Sequence, residues 1–231
     1  MKSKKTYVII TAAGRGKRMG LDTPKQFLKL GEKTVLERTL EKFLYFDQIE
    51  KIILVCQRED FPMVKDLMKG FLDRIEIVEG GSSREESTLR ALKAIKDEDS
   101  FVITHDSARP FVKKEMIERI LGEVEEGKSY IYAIGETDSV KIVEDDIVES
   151  NLDRSKVFRI QTPQGFYTKD LKEALEAHMG KAGLTDDSSY TEAQGIKTRV
   201  LRGSIDNIKI TNKRDLIIAR ALVEEEDNED R

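Results

Sequence analysis

Residues 7–20 read Tyr7-Val8-Ile9-Ile10-Thr11-Ala12-Ala13-Gly14-Arg15-Gly16-Lys17-Arg18-Met19-Gly20. Four β-prone apolar residues run straight into small residues and cations, with Pro24-Lys25-Gln26 shortly after. An apolar strand that ends in such a loop is the usual start of an α/β ligand site. Small residues let backbone N–H groups come close to phosphate oxygens, and the cations add charge nearby. A solvated basic turn is the plainer reading of the loop taken alone. Two familiar phosphate-binding patterns fail here. A dinucleotide fingerprint needs glycine where Met19 stands, and no G-x-x-x-x-G-K-[ST] occurs.

Outward from this stretch, short apolar runs alternate with longer amphipathic ones. Ile52-Ile53-Leu54-Val55, Ile75-Glu76-Ile77-Val78 and Phe101-Val102-Ile103-Thr104 read as strands. Residues 34–47, 60–72 and 83–96 between them carry apolar side chains at helical spacing. Thr34-x-x-Glu37 and Ser83-x-x-Glu86 predict capping boxes. The alternation predicts βαβ units, a mainly parallel sheet and helices on both faces, which is an α/β three-layer fold. Segment 137–157 breaks the rhythm: Val140–Val143, the polar Glu144-Asp145-Asp146, then Ile147-Val148-Glu149 read as a hairpin that leaves the sheet. Beyond it we expect a short strand around 157–160, helices near 168–179 and 186–194, a strand at 197–202 and a last helix from Asn212. The chain thus reads as one domain over 1–224, with its arm at about 137–157. The acidic tail at 225–231 belongs to a like-charged run from Glu224, expected to be solvated or disordered.

Composition narrows the function classes. The chain has 231 residues, 39% hydrophobic and 36% charged, with a net charge of −4. A surface built for nucleic acid would need excess cations. Cys56 is the single cysteine and ends an apolar run, so it reads as a buried strand thiol and not a nucleophile. The N-terminal apolar run is too short for a signal-peptide core, and no run reaches the roughly 18 apolar residues of a membrane span. The expected location is the cytoplasm, away from membranes.

Three further segments fall at strand ends. Gly80-Gly81-Ser82-Ser83-Arg84-Glu85-Glu86-Ser87 leads into a helix, and its paired glycines allow the backbone to face a flat base; a bare helix N-terminus is the plainer reading. His105-Asp106-Ser107-Ala108-Arg109-Pro110 follows the apolar 101–104 run. Its aspartate can reach a ribose hydroxyl or a metal-bound phosphate and its arginine a phosphate. Alternatively, Asp106 and Arg109 pair internally, or Asp106 serves a helix cap before 113–121. His105 reads as a structural neighbour. In the C-terminal half, Asp153-Arg154, Gln161-Thr162-Pro163-Gln164 and Asp206-Asn207-Ile208-Lys209 stand out, with Lys209 facing either a cleft or water.

Together these segments resemble the 2-C-methyl-D-erythritol 4-phosphate cytidylyltransferases of the non-mevalonate isoprenoid pathway. The resemblance runs from about residue 6 to 220, with six motifs in family order: Ala-Ala-Gly-x-Gly-x-Arg-Met, Pro-Lys-Gln, Gly-Gly-x-x-Arg-x-x-Ser, His-Asp-x-Ala-Arg-Pro, Thr-Pro-Gln and Asp-Asn-Ile-Lys. It implies a Rossmann-like nucleotidyltransferase fold, a Mg²⁺ requirement with the ion held mainly by the CTP phosphates, and a homodimer with interlocking arms. By the same resemblance, Ala12, Ala13, Gly14, Gly81 and Ser87 would hold the cytosine, ribose and phosphate of CTP. Arg18, Lys25 and Lys209 would surround the triphosphate. Asp106 and Arg109 would contact the acceptor polyol, and Ser139, Arg154 and Thr162 would lie near its phosphate, partly from the partner's arm. Arg18, Lys25, Arg154 and Lys209 are the implied catalytic set.

The implied reaction is in-line attack by the acceptor's phosphate oxygen on the α-phosphorus of CTP, with pyrophosphate leaving. Such chemistry needs positioning and cations, and no Ser/His or Cys/His pair. Three departures stand out: Ser139 replaces a usual threonine, Ser82 a frequent acidic residue and Ser107 a usual alanine. A ribitol-5-phosphate cytidylyltransferase is the nearest alternative, although that group tends to carry valine before the arginine. A non-catalytic nucleotide-binding module would not need Arg18, Lys25 and Lys209 together. A nicotinamide dehydrogenase lacks support, since the second strand ends in Cys56-Gln57 with no acidic residue for the ribose.

Overall fold

β1 (Thr6–Thr11) buries Val8, Ile9 and Ile10 completely, as a strand covered on both faces does. A computed structural model of the chain describes residues 4–15 and 23–229. After β1 come the small hairpin β2 (Lys29–Leu30) and β3 (Lys33–Thr34), then α1 (Val35–Leu44), β4 (Ile49–Cys56), α2 (Phe61–Leu67), β5 (Ile75–Glu79) and α3 (Arg84–Ala94). β6 (Phe101–Asp106), α4 (Lys114–Glu123) and β7 (Lys128–Gly135) lead to the arm, β8 (Lys141–Glu144) and β9 (Ile147–Asn151). β10 (Phe158–Tyr167), α5 (Thr168–His178), α6 (Asp187–Ala193), β11 (Lys197–Arg202) and α7 (Lys213–Glu229) complete the described chain.

Seven strands form one sheet in the order β11-β7-β10-β6-β1-β4-β5. All neighbours are parallel except β10, which runs antiparallel to both β6 and β7. The expected parallel-dominated α/β sheet is present, with the helices divided between its faces. Alternate residues of the central strands point to opposite sides. Val8, Ile10, Ile52 and Leu54 join Leu40 and Phe43 of α1 and Ile117 of α4. Ile9, Ile53 and Val102 join Leu92 of α3 and Leu171 and Leu175 of α5. Each of these aliphatic side chains is at most 1% exposed, and its burial contributes about 1.5–3 kcal/mol. A third cluster seats α7 through Ala219 and Val223 against Leu30, Val35 and Phe111.

Several expectations change. β10 spans ten residues where a short strand around 157–160 was expected. Pro163 has no N–H to donate, and the ladder to β7 shifts register between Gln161 and Gln164, so the strand continues across a residue that reads as a breaker. β7 and the β2–β3 hairpin are additional to the expected elements. The box at Thr34 and Glu37 is reciprocal, but the one at Ser83 is not. Ser83 Oγ accepts from Glu86 N at 3.2 Å, while the Glu86 carboxylate turns to Ser82 N at 2.7 Å and Ser82 Oγ at 2.6 Å. The acidic run from Glu224 is not a loose tail: α7 carries it to Glu229, and Glu226 pairs with Lys42 at 3.1 Å and Arg38 at 3.7 Å.

The hairpin arm is present as a separate two-stranded sheet. It turns at Asp145 and Asp146, both left-handed with φ of 46° and 63°, the geometry of a two-residue hairpin loop. Every residue of β8 and β9 is exposed.

Candidate active site

β6, β1, β4 and β5 end side by side, and the loops that follow them enclose a cavity of about 440 Å³. Its wall brings together Ala13, Gly14 and Arg15 after β1, Gly81 to Arg84 after β5, and Asp106 to Ala108 after β6. Lys25 and Lys209 complete it from two other segments. Size and position are those of a small-molecule site at the carboxyl edge of an open sheet.

The glycine-rich loop is held by its carbonyls. Gln26 Nε2 donates to Ala12 O at 2.7 Å, and Gln57 Nε2 to Ala13 O at 3.0 Å. Arg15 ties the loop to Glu59, and to Asp60 at 3.4 Å. Across the cavity, Gly81 N donates to Ser87 Oγ at 3.0 Å, and Ser87 Oγ donates to Ser83 O at 2.8 Å. Between the two loops stands Gly80. A Cβ added there would lie 2.5 Å from the Ala13 Cβ, so a glycine is required for the loops to approach this closely.

Asp106 is the acidic centre, 8% exposed. Lys209 Nζ lies 3.0 Å and Arg109 Nε 3.3 Å from its Oδ2. Burial opposes its ionisation, but Lys209, Arg84 and Arg109 outweigh that and hold its carboxyl well below the usual carboxylate range. Its N–H donates to Thr162 Oγ1 at 3.1 Å. Arg109 also donates to Asn207 O at 2.7 Å, and Asn207 Nδ2 to Thr162 O at 2.8 Å. One polar net therefore locks the β6 end, the Thr162–Pro163 bend and the Lys209 segment together. Lys25 Nζ donates to Ile210 O at 2.9 Å, beside Lys209. His105 Nε2 contacts Arg109 O at 3.1 Å, and burial pushes its pKa down to about 4, so it is neutral at ordinary pH. Burial pushes the Cys56 thiol up to about 12, as suits an inert strand residue.

Of the residues singled out from sequence, Ala13, Gly14, Lys25, Gly81, Ser87, Asp106 and Lys209 line the cavity. Ala12, Arg109 and Thr162 lie behind it: Ala12 packs in the core, while the other two support Asp106. The internal Asp106–Arg109 pair is therefore real. Ser139 and Arg154 are on the exposed arm base, where Arg154 Nη1 donates to Thr137 O at 2.8 Å, and neither lines this chain's own cavity. Arg18 lies outside the described residues. Sequence reasoning missed Gln57, Arg84 and the bracing role of Gln26. Gln57 follows the end of β4, so the strand-end rule alone would have found it.

A model of the 2-C-methyl-D-erythritol 4-phosphate cytidylyltransferase family matches residues 6–225. The chain belongs to this family. The family's enzyme from Thermosipho africanus is 37% identical over 212 residues, 90% of this chain and 93% of that protein. The one from Lachnoclostridium phytofermentans is 39% identical over 230 residues, 96% of this chain and 97% of that protein. Among solved structures, the 4-diphosphocytidyl-2C-methyl-D-erythritol synthase of Anaerococcus prevotii superposes with a TM-score of 0.84 at 35% identity, covering 96% of each chain. The cytidylyltransferase from Francisella tularensis gives 0.78 at 33% identity, over 94% of this chain and 99% of that one.

Proposed function

We infer that the chain transfers the cytidylyl group of CTP to 2-C-methyl-D-erythritol 4-phosphate and releases pyrophosphate. The observation that carries this reading is the cavity at the ends of β1, β5 and β6, where Lys209 pairs with an ionised Asp106 and Lys25 lines the same wall, in a cytidylyltransferase-family chain. A phosphate oxygen of the acceptor forms a bond to the α-phosphorus as the bond to the pyrophosphate oxygen breaks. Lys25, Lys209 and Arg18 stabilise the charge on the transferring phosphate, and ionised Asp106 accepts hydrogen bonds from acceptor hydroxyls. No general base is needed, because the nucleophile is already an anion, and His105 stays neutral behind the site.

Mg²⁺ fits this site as an ion brought in by the nucleotide. Among the described residues that line the cavity, Asp106 is the one carboxylate, and its Oδ2 already faces Lys209 and Arg109. Most of the ion's ligands would be phosphate oxygens and water, and its charge would draw electron density from the α-phosphate.

The active species is a homodimer joined through the arms. Ile142, Val143, Ile147 and Val148 are exposed on a hairpin that pairs only with itself among the described residues, and a lone two-stranded sheet is marginal in water. A two-fold partner covers those side chains and brings its Ser139 and Arg154 to this chain's acceptor phosphate. The enzyme works free of membrane and nucleic acid; no helix among the described residues is long and apolar enough to cross a membrane. The test is incubation with CTP, Mg²⁺ and 2-C-methyl-D-erythritol 4-phosphate, with mass spectrometry of the product. A diphosphocytidyl-methylerythritol product supports the reading, and unchanged substrates in the presence of folded enzyme overturn it.

A further inference from the structure

Arg84 opens α3 and lines the cavity, yet its guanidinium is already engaged. Nη1 donates to Asp187 Oδ1 at 2.8 Å and Nη2 to Asp187 Oδ2 at 3.0 Å, a two-pronged pair. Asp187 is the first residue of α6 and is fully buried, while the Arg84 side chain keeps 32% of its surface. Thr88 Oγ1 adds a third contact to Asp187 Oδ1 at 3.4 Å. The residue before, Asp186, receives Gln164 Nε2 at 2.6 Å, and Gln164 Oε1 accepts from Ser188 N at 3.2 Å. The start of α6 is thus braced against the Thr162–Gln164 bend and in turn holds Arg84 over the cavity.

We propose that Arg84 binds the nucleoside half of CTP and that Asp187 is a positioning residue that fixes its guanidinium. The inference rests on the cytidylyl-transfer reading above. An arginine carries five N–H donors; two go to Asp187, and the other three make no hydrogen bond among the described residues. The buried carboxylate offsets the guanidinium's charge. The guanidinium that lines the cavity is thus held rigid, with its charge partly offset and three donors to spare, which suits the cytosine carbonyl or a ribose hydroxyl. Its neighbours in the wall, Gly81 and Ser87, are on the same loop and helix, whereas the lysines enter from other segments. Lysine cannot replace this fork, since it is a point charge on a flexible stem.

The experiment compares Arg84→Lys, Asp187→Asn and the double variant by steady-state kinetics, CTP calorimetry and thermal melting. Folded Arg84→Lys should raise the KM and Kd for CTP by about tenfold or more, with kcat and the acceptor KM within about threefold. Inhibition by pyrophosphate, which has no nucleoside, should stay within about twofold of the parent. Asp187→Asn should behave alike, and the double variant should be no worse than the worse single one, because all three lose the same fork. CTP binding unchanged in folded Arg84→Lys, or equal losses for CTP and pyrophosphate, would overturn the proposal. If Asp187→Asn does not fold, Arg84→Lys decides alone. A parent enzyme that binds CTP but does not turn over the acceptor would refute the transfer reading and leave the calorimetric test of Arg84 standing.

Discussion

Lys25 shows how much one side chain is asked to do. Pro24 restricts the backbone before it, and its ammonium reaches Ile210 O beside Lys209 at the cavity wall. If that charge acts on the transition state, Lys25→Ala lowers kcat by about 10²–10³ and changes the KM for CTP far less. Steady-state kinetics with both substrates varied, and a melt to confirm folding, check this; a kcat within about threefold of the parent contradicts it. His105 gives a second residue-scale test. Its pKa is near 6.5 in the unfolded chain, and burial takes it down to about 4 in the fold. Between those values the unfolded chain binds more protons. The stability it contributes is therefore complete above about 6.5 and declines as pH falls toward 4. His105→Gln keeps a donor for the Arg109 carbonyl and does not titrate. Over pH 7 to 4 it should lose less stability than the parent, a difference on the order of 3 kcal/mol at the acid end. Parallel melting curves for the two proteins across that range would contradict the assignment. At this scale, Asp106 and Lys209 were each legible as site candidates, but their 3.0 Å pairing was not. A side chain's partner depends on tertiary folding, and so the sequence left open whether Lys209 faced water or a cleft.

Elements meet where glycine permits it. Gly80 sits at the exit of β5, with Ala13 across from it and Ser87 Oγ 3.4 Å from where a Cβ would be. Gly80→Ala should push the β1 and β5 exit loops apart and, if they grip the nucleotide together as proposed, raise the CTP Kd by about tenfold or more, while the fold loses about 1–3 kcal/mol through crowding. Calorimetry and denaturant unfolding measure both, and a fully active variant with parental CTP affinity would show that the loops do not grip the nucleotide together. Elements with strong periodicity were legible in advance, including α1, α3 and the arm. β10 was not read to its full length, because Pro163 and Gly165 look like strand breakers. In fact Pro163 falls at the register shift. A Cβ at Gly165 would lie 2.8 Å from Val124 Cγ2, so glycine there serves α4 packing and not a turn. The acidic run is solvated at Glu224 and Glu225, as like charges predict, but it is helical and not loose: Ala219 and Val223 anchor α7, and Arg38 and Lys42 offset Glu226. Only the three-dimensional neighbours show that balance.

For the whole molecule, the proposed dimer turns on the arm. The exposed Ile147, 71% accessible, and its apolar neighbours call for a partner. If that partner's Arg154 completes the acceptor site, two inactive variants should rescue each other. Lys25→Ala and Arg154→Ala, co-expressed, form mixed dimers in which one of the two sites has both residues intact. Random pairing should then restore about a quarter of parental activity, and light scattering should report a dimer. No rescue from dimers shown to be mixed would place Arg154 in its own subunit's site or outside any site. The architecture behind this was largely legible, since alternating strands and helices imply a wound sheet. The antiparallel insertion of β10 between β6 and β7 was not, because strand order is set by long-range packing that no local pattern encodes. The most direct test of the central claim is pyrophosphate release from CTP with 2-C-methyl-D-erythritol 4-phosphate and ribitol 5-phosphate offered separately. We expect kcat/KM for the methylerythritol acceptor to exceed that for ribitol phosphate by about 10² or more, as a site built around one polyol's hydroxyls allows. Equal rates, or a preference for ribitol phosphate, would contradict it.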